Sequence, residues 1–246
     1  MNSADSPGDV DPAGQVETLR ALMITATQRL LGDTIAVTDE QWRAASRLPG
    51  WTRGHVATHL ARQADALVRL IEGARSGRPI PMYGSPAQRD EEIAAGADRS
   101  GLELQIDLDT SAGTLSEMFE TVAQEAAWEA VVELRGGDRA PLRLLPLARL
   151  AEVVLHHVDL DIGMDVHDID EPTAQWLLEW MVFRLASRQD FPKLNLISES
   201  GESHAVGNAG EPTDVRGPSS ELLGWLTGRS PGATLQGANG VTLPPF

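Results

Sequence analysis

The stretch that decides the fold reads LPGWTRGHVATHLA, from Leu48 to Ala61. After its Pro-Gly break comes Thr52, a good N-cap because its hydroxyl accepts a hydrogen bond from a free backbone N–H of the first helical turn. Trp51 and Val56 flank the cap at the spacing of a hydrophobic staple. We therefore predict a helix that begins at Thr52 and runs to about Arg75.

One histidine of this helix faces inward. At 100° per residue, His59 shares its face with the apolar residues Val56, Ala66 and Leu70, whereas Arg62 belongs to a separate polar face. A lone histidine in such a place is commonly a hydrogen-bonded core residue. A metal ligand is the alternative interpretation.

A second stretch, EVVLHHVDL from Glu152 to Leu160, carries the matching chemistry. Glu152, His156 and Asp159 share one stripe of the predicted helix, and apolar residues border that stripe on both sides. The stripe is either a solvent face with an ordinary acid–base pair or the wall of a polar pocket inside a bundle. In the second case His59, Glu152 and His156 form a His₂Glu set, which leaves a metal ion open positions as in catalytic zinc sites.

Composition and hydrophobic pattern divide the chain into three parts. Residues 1–14 predict a flexible acidic lead-in, residues 15–190 a helical domain, and residues 191–246, which are rich in glycine, a small α+β domain. The predicted helices cover Val16–Leu31, a short segment opened by a capping box at Thr38–Gln41, Thr52–Arg75, Pro86–Ala97, Thr114–Leu134, Leu144–Ile162, Thr173–Ser187 and Ser219–Thr227, with a last strand at Val241–Leu243.

Composition excludes several functions. The 246 residues include no cysteine, so the chain has no disulfide, thiolate nucleophile or cysteine-bound metal, and any thiol must come from outside. A net charge of −16 argues against a nucleic-acid partner. Neither a signal peptide nor an apolar run long enough to span a membrane is evident, so we expect a cytoplasmic protein.

Four segments carry a resemblance to known proteins. Leu48–Ala61 resembles the G-W-[ST]-x₅₋₆-H-[LV]-A signature of DinB-like metalloproteins, and Glu152–Leu160 resembles their E-x₃-H-x-x-D element. Pro81–Ile93 resembles a segment of the mycothiol-dependent maleylpyruvate isomerase family, and Leu222–Gly232 resembles the Gly-Arg element of its C-terminal domain. The resemblance implies an α+β fold: a DinB-like bundle of up to four core helices plus extra helices, followed by a small C-terminal α/β domain.

The resemblance also assigns site residues. It implies that His59, Glu152 and His156 bind one zinc ion per chain. Arg229, from the C-terminal domain, and Arg89 are implied as catalytic residues.

The implied reaction converts maleylpyruvate to fumarylpyruvate, a step of aromatic catabolism through gentisate. Mycothiol adds to the cis double bond, the resulting single bond rotates, and elimination restores the bond as trans. Zinc deprotonates the thiol, whose pKa is otherwise near 8.5. Arginine forks suit the two carboxylates of the substrate. The implied partners are this dicarboxylate and mycothiol, with no nucleic acid or membrane, in a monomer or weak homo-oligomer.

Three other functions share the same residues. A mycothiol S-transferase would conjugate electrophiles and release the adduct. A non-haem iron enzyme would use the His₂-carboxylate set for oxygen chemistry. A metal-stabilised ligand-binding module would show no turnover.

Overall fold

The chain is mainly helical, with small sheets, which confirms the predicted α+β class. The computed structural model describes residues 12–125 and 127–244. The helices are α1 (Pro12–Thr34), α2 (Asp39–Arg43), α3 (Arg53–Ser76), α4 (Pro86–Ala97), α5 (Gly101–Gln124), α6 (Leu145–Asp159), α7 (Glu171–Leu185) and α8 (Ser219–Leu226). The strands are β1 (Val131–Glu133), β2 (Arg139–Pro141), β3 (Pro192–Ser198), β4 (Ser203–Val206) and β5 (Ala209–Gly217).

The chain forms two units that divide between Ile162 and Gly163. The sequence placed this division after residue 190. The difference arises because α7 packs against α8 and β4, so this helix belongs with the strands that follow it. The expected lead-in lies outside the described residues up to residue 11, and α1 begins at Pro12.

Helix α3 is the centre of the first unit. The Thr52 side chain accepts from the backbone N–H of His55, in a capping box that starts the helix, and Gly77 ends the helix with a positive φ of 65°. Helices α4, α5 and α6 all pack against α3, and α1 packs against α6 and α5. Leu60 and Leu67 of α3 are completely buried, so the predicted apolar face is the face that enters the core.

Gly54 shows how closely α4 approaches α3. A Cβ at Gly54 would overlap the backbone carbonyl of Ala97, at the end of α4. We expect Gly54→Ala to destabilise the protein by about 1–3 kcal/mol, because a backbone group cannot move aside as a side chain can. Gly113→Ala is the matched control in α5, where a Cβ meets nothing within 4 Å, and it should stabilise by about 0.5–1 kcal/mol. Urea unfolding measures both changes, and equal effects would contradict this packing.

A hairpin occupies residues for which the sequence predicted helix. The expected helix Thr114–Leu134 is wrong at both ends, since α5 covers Gly101–Gln124 and β1 pairs antiparallel with β2. Ser100 caps α5 in a capping box with Glu103, and the positive φ angles of Gly136 and Gly137 make the hairpin turn.

The second unit contains a three-stranded sheet. Its order is β4-β3-β5, with β3 antiparallel to β4 and parallel to β5. Helix α8 packs against α7 and β5. The prediction of a strand at Val241–Leu243 is wrong. The backbone N–H of Val241 donates to the carbonyl of Ala238, as in a turn, and not to a neighbouring strand. In the described part of the chain, no helix is long and apolar enough to cross a membrane.

Candidate metal centre

Helix α3 holds His59 at the inner face of the bundle. The His59 side chain is 7% exposed, and the Trp51 ring packs edge-on against it with the centroids 5.6 Å apart. His55 lies one turn earlier and has a different partner, because its Nδ1 lies 2.7 Å from the Thr52 hydroxyl. The structure therefore brings His59, and not His55, toward α6.

The polar stripe of α6 faces the interior. Arg149, which lies on the same stripe one turn before Glu152, and Asp159 are only 2% and 1% exposed. This burial excludes the solvent-face interpretation for these two residues. The Glu152 side chain keeps 34% exposure, so the stripe is open to solvent at its centre. This pattern fits the wall of a polar pocket.

Three ligand atoms converge where α3 meets α6. His59 Nε2 lies 2.9 Å from Glu152 Oε2 and 3.1 Å from His156 Nε2. His156 Nε2 lies 3.3 Å from Glu152 Oε2. In the described part of the chain, His59, Glu152 and His156 form the one group of three or more His, Asp or Glu residues whose atoms could hold a metal ion.

Neighbouring groups orient both imidazoles. His156 Nδ1 donates to Asp159 Oδ2 at 2.7 Å, which orients the ring so that its Nε2 faces the centre. The guanidinium of Arg89 lies 3.2 Å from His59 Nδ1. Because arginine can only donate, Nδ1 accepts and the ring proton of His59 lies on Nε2, where Glu152 accepts it.

The charges within the centre depend on one another. Burial alone would raise the pKa of Glu152, but hydrogen bonds with His156 and His59 outweigh it and hold this pKa well below its ordinary value. Burial lowers the pKa of His59, and Glu152 only partly offsets that effect. Burial would also lower the pKa of His156, but hydrogen bonds with Asp159 and Glu152 raise it. Glu152 is thus an ionised carboxylate between two imidazoles.

A buried arginine ties the two helices together beside the centre. Arg149 donates from Nη1 to the Leu60 carbonyl and to Gln63 Oε1, both at 2.7 Å. Burial lowers the pKa of Arg149 to about 10, so the guanidinium stays charged at neutral pH. It places a positive charge one turn from Glu152.

Arg89 is the second cation at the centre. It is 9% exposed and forms an ion pair with Asp90 at 2.8 Å. The Cζ atom of Arg89 lies 5.7 Å from the centroid of Tyr83, and that of Arg69 lies 5.9 Å from it. Tyr83 and Arg69 were not among the expected site residues. The signal available was that Tyr83 is the only tyrosine of the chain and lies in the Pro81–Ile93 segment.

His157 is the neighbour of His156 in the sequence, and Arg229 is an expected catalytic residue. His157 points toward α1, with its Nε2 3.2 Å from Asp33 Oδ2, and burial lowers its pKa to about 4. Arg229 lies in the second unit, just after α8, where its Nη1 donates to the Thr227 carbonyl. Gly228, with a φ of 74°, makes the turn that precedes it.

Together, the helical unit and its inward His, His and Glu side chains define a bundle protein with a candidate metal centre. A sequence model described as the mycothiol maleylpyruvate isomerase N-terminal domain matches residues 24–161, and the chain belongs to this family. The resemblance found in the sequence is thereby confirmed.

Solved structures extend the likeness to almost the whole chain. A crystal structure of the mycothiol-dependent maleylpyruvate isomerase is 26% identical, with a TM-score of 0.84, and the match covers 94% of this chain and 97% of that one. A histidine-to-alanine mutant of that isomerase gives a TM-score of 0.83 at the same identity and coverage. A search of curated proteins found no match.

Proposed function

We propose that this protein is a zinc-dependent cis–trans isomerase that converts maleylpyruvate to fumarylpyruvate with mycothiol as cosubstrate. The observation that carries the proposal is the convergence of His59, Glu152 and His156, with Arg89 beside them, in the part of the chain that matches the isomerase family. The similarity to the solved isomerase over both units supports the same activity.

The donor set fits a zinc ion. Two imidazole nitrogens and one carboxylate oxygen are the ligands of many catalytic zinc sites, and the Asp159–His156 contact is the carboxylate–histidine support typical of them. A zinc ion held there would lower the pKa of a thiol that coordinates it, so that the thiol would be deprotonated at neutral pH. To bind a metal ion through Nε2, His59 would carry its ring proton on Nδ1. Arg89 would then no longer donate to Nδ1 and would be free to bind an anion. Protons compete for both imidazoles, so zinc affinity should fall as pH falls.

The protein's own residues serve the addition and the elimination. The thiolate sulfur forms a bond to one carbon of the cis double bond, and the electron pair of that double bond moves to the conjugated keto oxygen as an enolate. The new single bond rotates, the enolate returns its electron pair, and the carbon–sulfur bond breaks to release the thiolate. Arg89 provides a buried cation for the enolate or for a carboxylate of the substrate. A local cation is needed because the net charge of −16 disfavours the binding of an anion.

Turnover tests the proposal directly. Zinc-loaded protein with maleylpyruvate and mycothiol should produce fumarylpyruvate, and omission of mycothiol should abolish the product. If generic electrophiles are conjugated to mycothiol and no fumarylpyruvate forms, the protein is an S-transferase. Iron in the purified protein together with thiol-independent activity would instead support the oxygenase alternative.

Asp159 is expected to strengthen the centre without touching the metal ion. Asp159→Asn removes the charge that supports His156 Nδ1, so zinc affinity should fall about 10–100-fold. Competition with a chelating dye measures this affinity. Asp161→Asn is the matched control, since Asp161 is exposed, pairs with Arg47 and Arg53, and has a φ of 54° that asparagine tolerates. Equal zinc affinity in the two variants would contradict the role of Asp159.

Arg229 is proposed to act on the substrate from the second unit. Arg229→Ala should lower kcat/KM about 100-fold and leave the zinc content unchanged, because the residue is not a metal ligand. Steady-state kinetics and metal analysis of the same sample measure the two effects. Arg216→Ala, at an exposed arginine that pairs with Asp214, should retain full activity. Full activity of Arg229→Ala would remove Arg229 from the reaction.

A further inference from the structure

A cavity of about 800 Å³ lies in the first unit, and we call it the hairpin cavity. Residues 79–86, between α3 and α4, form one wall, and residues 130–137 with Arg139, from the β1–β2 hairpin, form the other. Ile80 and Val131, on opposite walls, are 36% and 52% exposed. Large apolar side chains left in contact with solvent around a concave surface are typical of a ligand site.

Specific contacts hold the walls in place. Arg69 donates from Nε to the Met82 carbonyl at 3.0 Å, and the backbone N–H of Arg135 donates to Met82 Sδ at 3.1 Å. Gly73 lets residues 78–80 lie against α3, because a Cβ there would come within 2.6 Å of the Ile80 nitrogen. Contacts within the protein therefore define the shape of the hairpin cavity.

The hairpin cavity adjoins the candidate metal centre at Arg89. Arg89 lines the cavity, and its Nη2 lies 3.2 Å from His59 Nδ1. Tyr83 also lines the cavity and packs against Arg89. One side chain thus separates the cavity from a proposed zinc ligand, so a molecule in the cavity could extend a reactive group to the centre.

We propose that the hairpin cavity binds the non-reacting body of the thiol cosubstrate, a polyhydroxylated sugar-bearing thiol, with its sulfur directed past Arg89 to the metal centre. This inference rests on the proposed function. Cavities of about 300–1,000 Å³ hold ligands of drug-like size, whereas the dicarboxylate is too small to fill one of 800 Å³. Asp90, Glu133 and Arg139 line the cavity and offer charged donors and acceptors for hydroxyl groups.

The test uses S-methyl mycothiol, which keeps the body of the thiol and cannot form a thiolate. Calorimetry should show that it binds the wild-type protein. Val131→Trp should weaken this binding at least about tenfold by filling the cavity, and Ile80→Trp should do the same from the opposite wall. Ile106→Trp is the matched control, because Ile106 is 56% exposed on α5 and does not line the cavity. Circular dichroism checks that each variant is folded.

Three outcomes would overturn the inference: wild-type protein that does not bind S-methyl mycothiol, folded cavity variants that bind it normally, or cavity variants in which KM rises for the dicarboxylate and not for mycothiol. Failure of the proposed function is a different result. If the wild-type protein produces no fumarylpyruvate but the two cavity variants still lose S-methyl mycothiol binding, the cavity is a thiol site in a protein with another activity.

Discussion

Replacing His59, Glu152 or His156 by alanine is expected to abolish stoichiometric zinc binding and to lower turnover about a thousandfold or more. Each change removes one of three converging ligand atoms, and two remaining ligands bind zinc too weakly to hold it through purification. Metal analysis of the purified variants and fumarylpyruvate formation with mycothiol measure the two losses. The variants should remain folded, because the fold does not depend on these contacts alone.

His55→Ala is the sharpest control for this prediction. His55 lies one turn from His59 on the same helix, but its Nδ1 contacts Thr52 and not α6. The change should keep zinc and activity, at a cost of about 1 kcal/mol in stability from the weakened capping box. If His55→Ala loses zinc and His59→Ala retains it, the proposed ligand set is shifted by one turn and incorrect.

Replacing Arg89 by alanine is expected to lower kcat/KM about 100–1,000-fold while zinc stays bound. The reason is that Arg89 is the buried cation next to His59, where we propose that an enolate or a carboxylate of the substrate binds. Arg89→Lys should recover only part of the loss, since a lysine lacks the planar fork and cannot reproduce the packing on Tyr83. Steady-state kinetics with each substrate varied, together with zinc content, measure the effect.

Arg75→Ala is the matched control for Arg89. Arg75 lies on α3 and pairs with Glu125 on the protein surface, so its loss should leave kinetics unchanged. Loss of zinc in Arg89→Ala would indicate that Arg89 supports the metal centre instead of the substrate. Wild-type kinetics in Arg89→Ala would exclude Arg89 from the reaction.

The parts of the fold that depend on local rules were predictable. The cap at Thr52 fixes the start of α3, and a rotation of 100° per residue then places His59 on the buried face without further information. The same reasoning places Glu152, His156 and Asp159 on one stripe of α6. Which side of α6 faces the interior depends on packing between helices, and the sequence left that open.

The errors have local causes. The capping box at Ser100 and Glu103 marks the true start of α5, and Gly136 and Gly137 mark the hairpin turn beyond its end. Both are local signals that contradict a helix over Thr114–Leu134. The boundary between the two units is a separate matter from these errors. The change of composition after residue 190 marks the start of the strands. Helix α7 belongs to the second unit because it packs against α8 and β4, and the hydrophobic periodicity of the sequence does not show which elements a helix packs against.

The set of residues at the metal centre was only partly predictable from the sequence. His59 and Glu152 are 93 residues apart, so their contact follows from the packing of α3 on α6 and not from a local motif. The resemblance named the three proposed ligands. The approach of Arg89 to His59 depends on the packing of α4 on α3, which a helical pattern does not report. The hairpin cavity depends on the irregular residues between α3 and α4 and on the β1–β2 hairpin, for which the sequence predicted helix.

The Arg149 contact has a consequence for the protein without metal. Arg149 lies on α6, one turn before Glu152. Its guanidinium donates to the carbonyl of Leu60 on α3, the residue after His59. This hydrogen bond joins α3 and α6 beside the centre and does not involve the proposed metal ion, so we expect it to hold the two helices at the same separation without the ion. Chelation of zinc should therefore leave a folded apoprotein with nearly unchanged helix content, in contrast to small domains that unfold when their metal is removed.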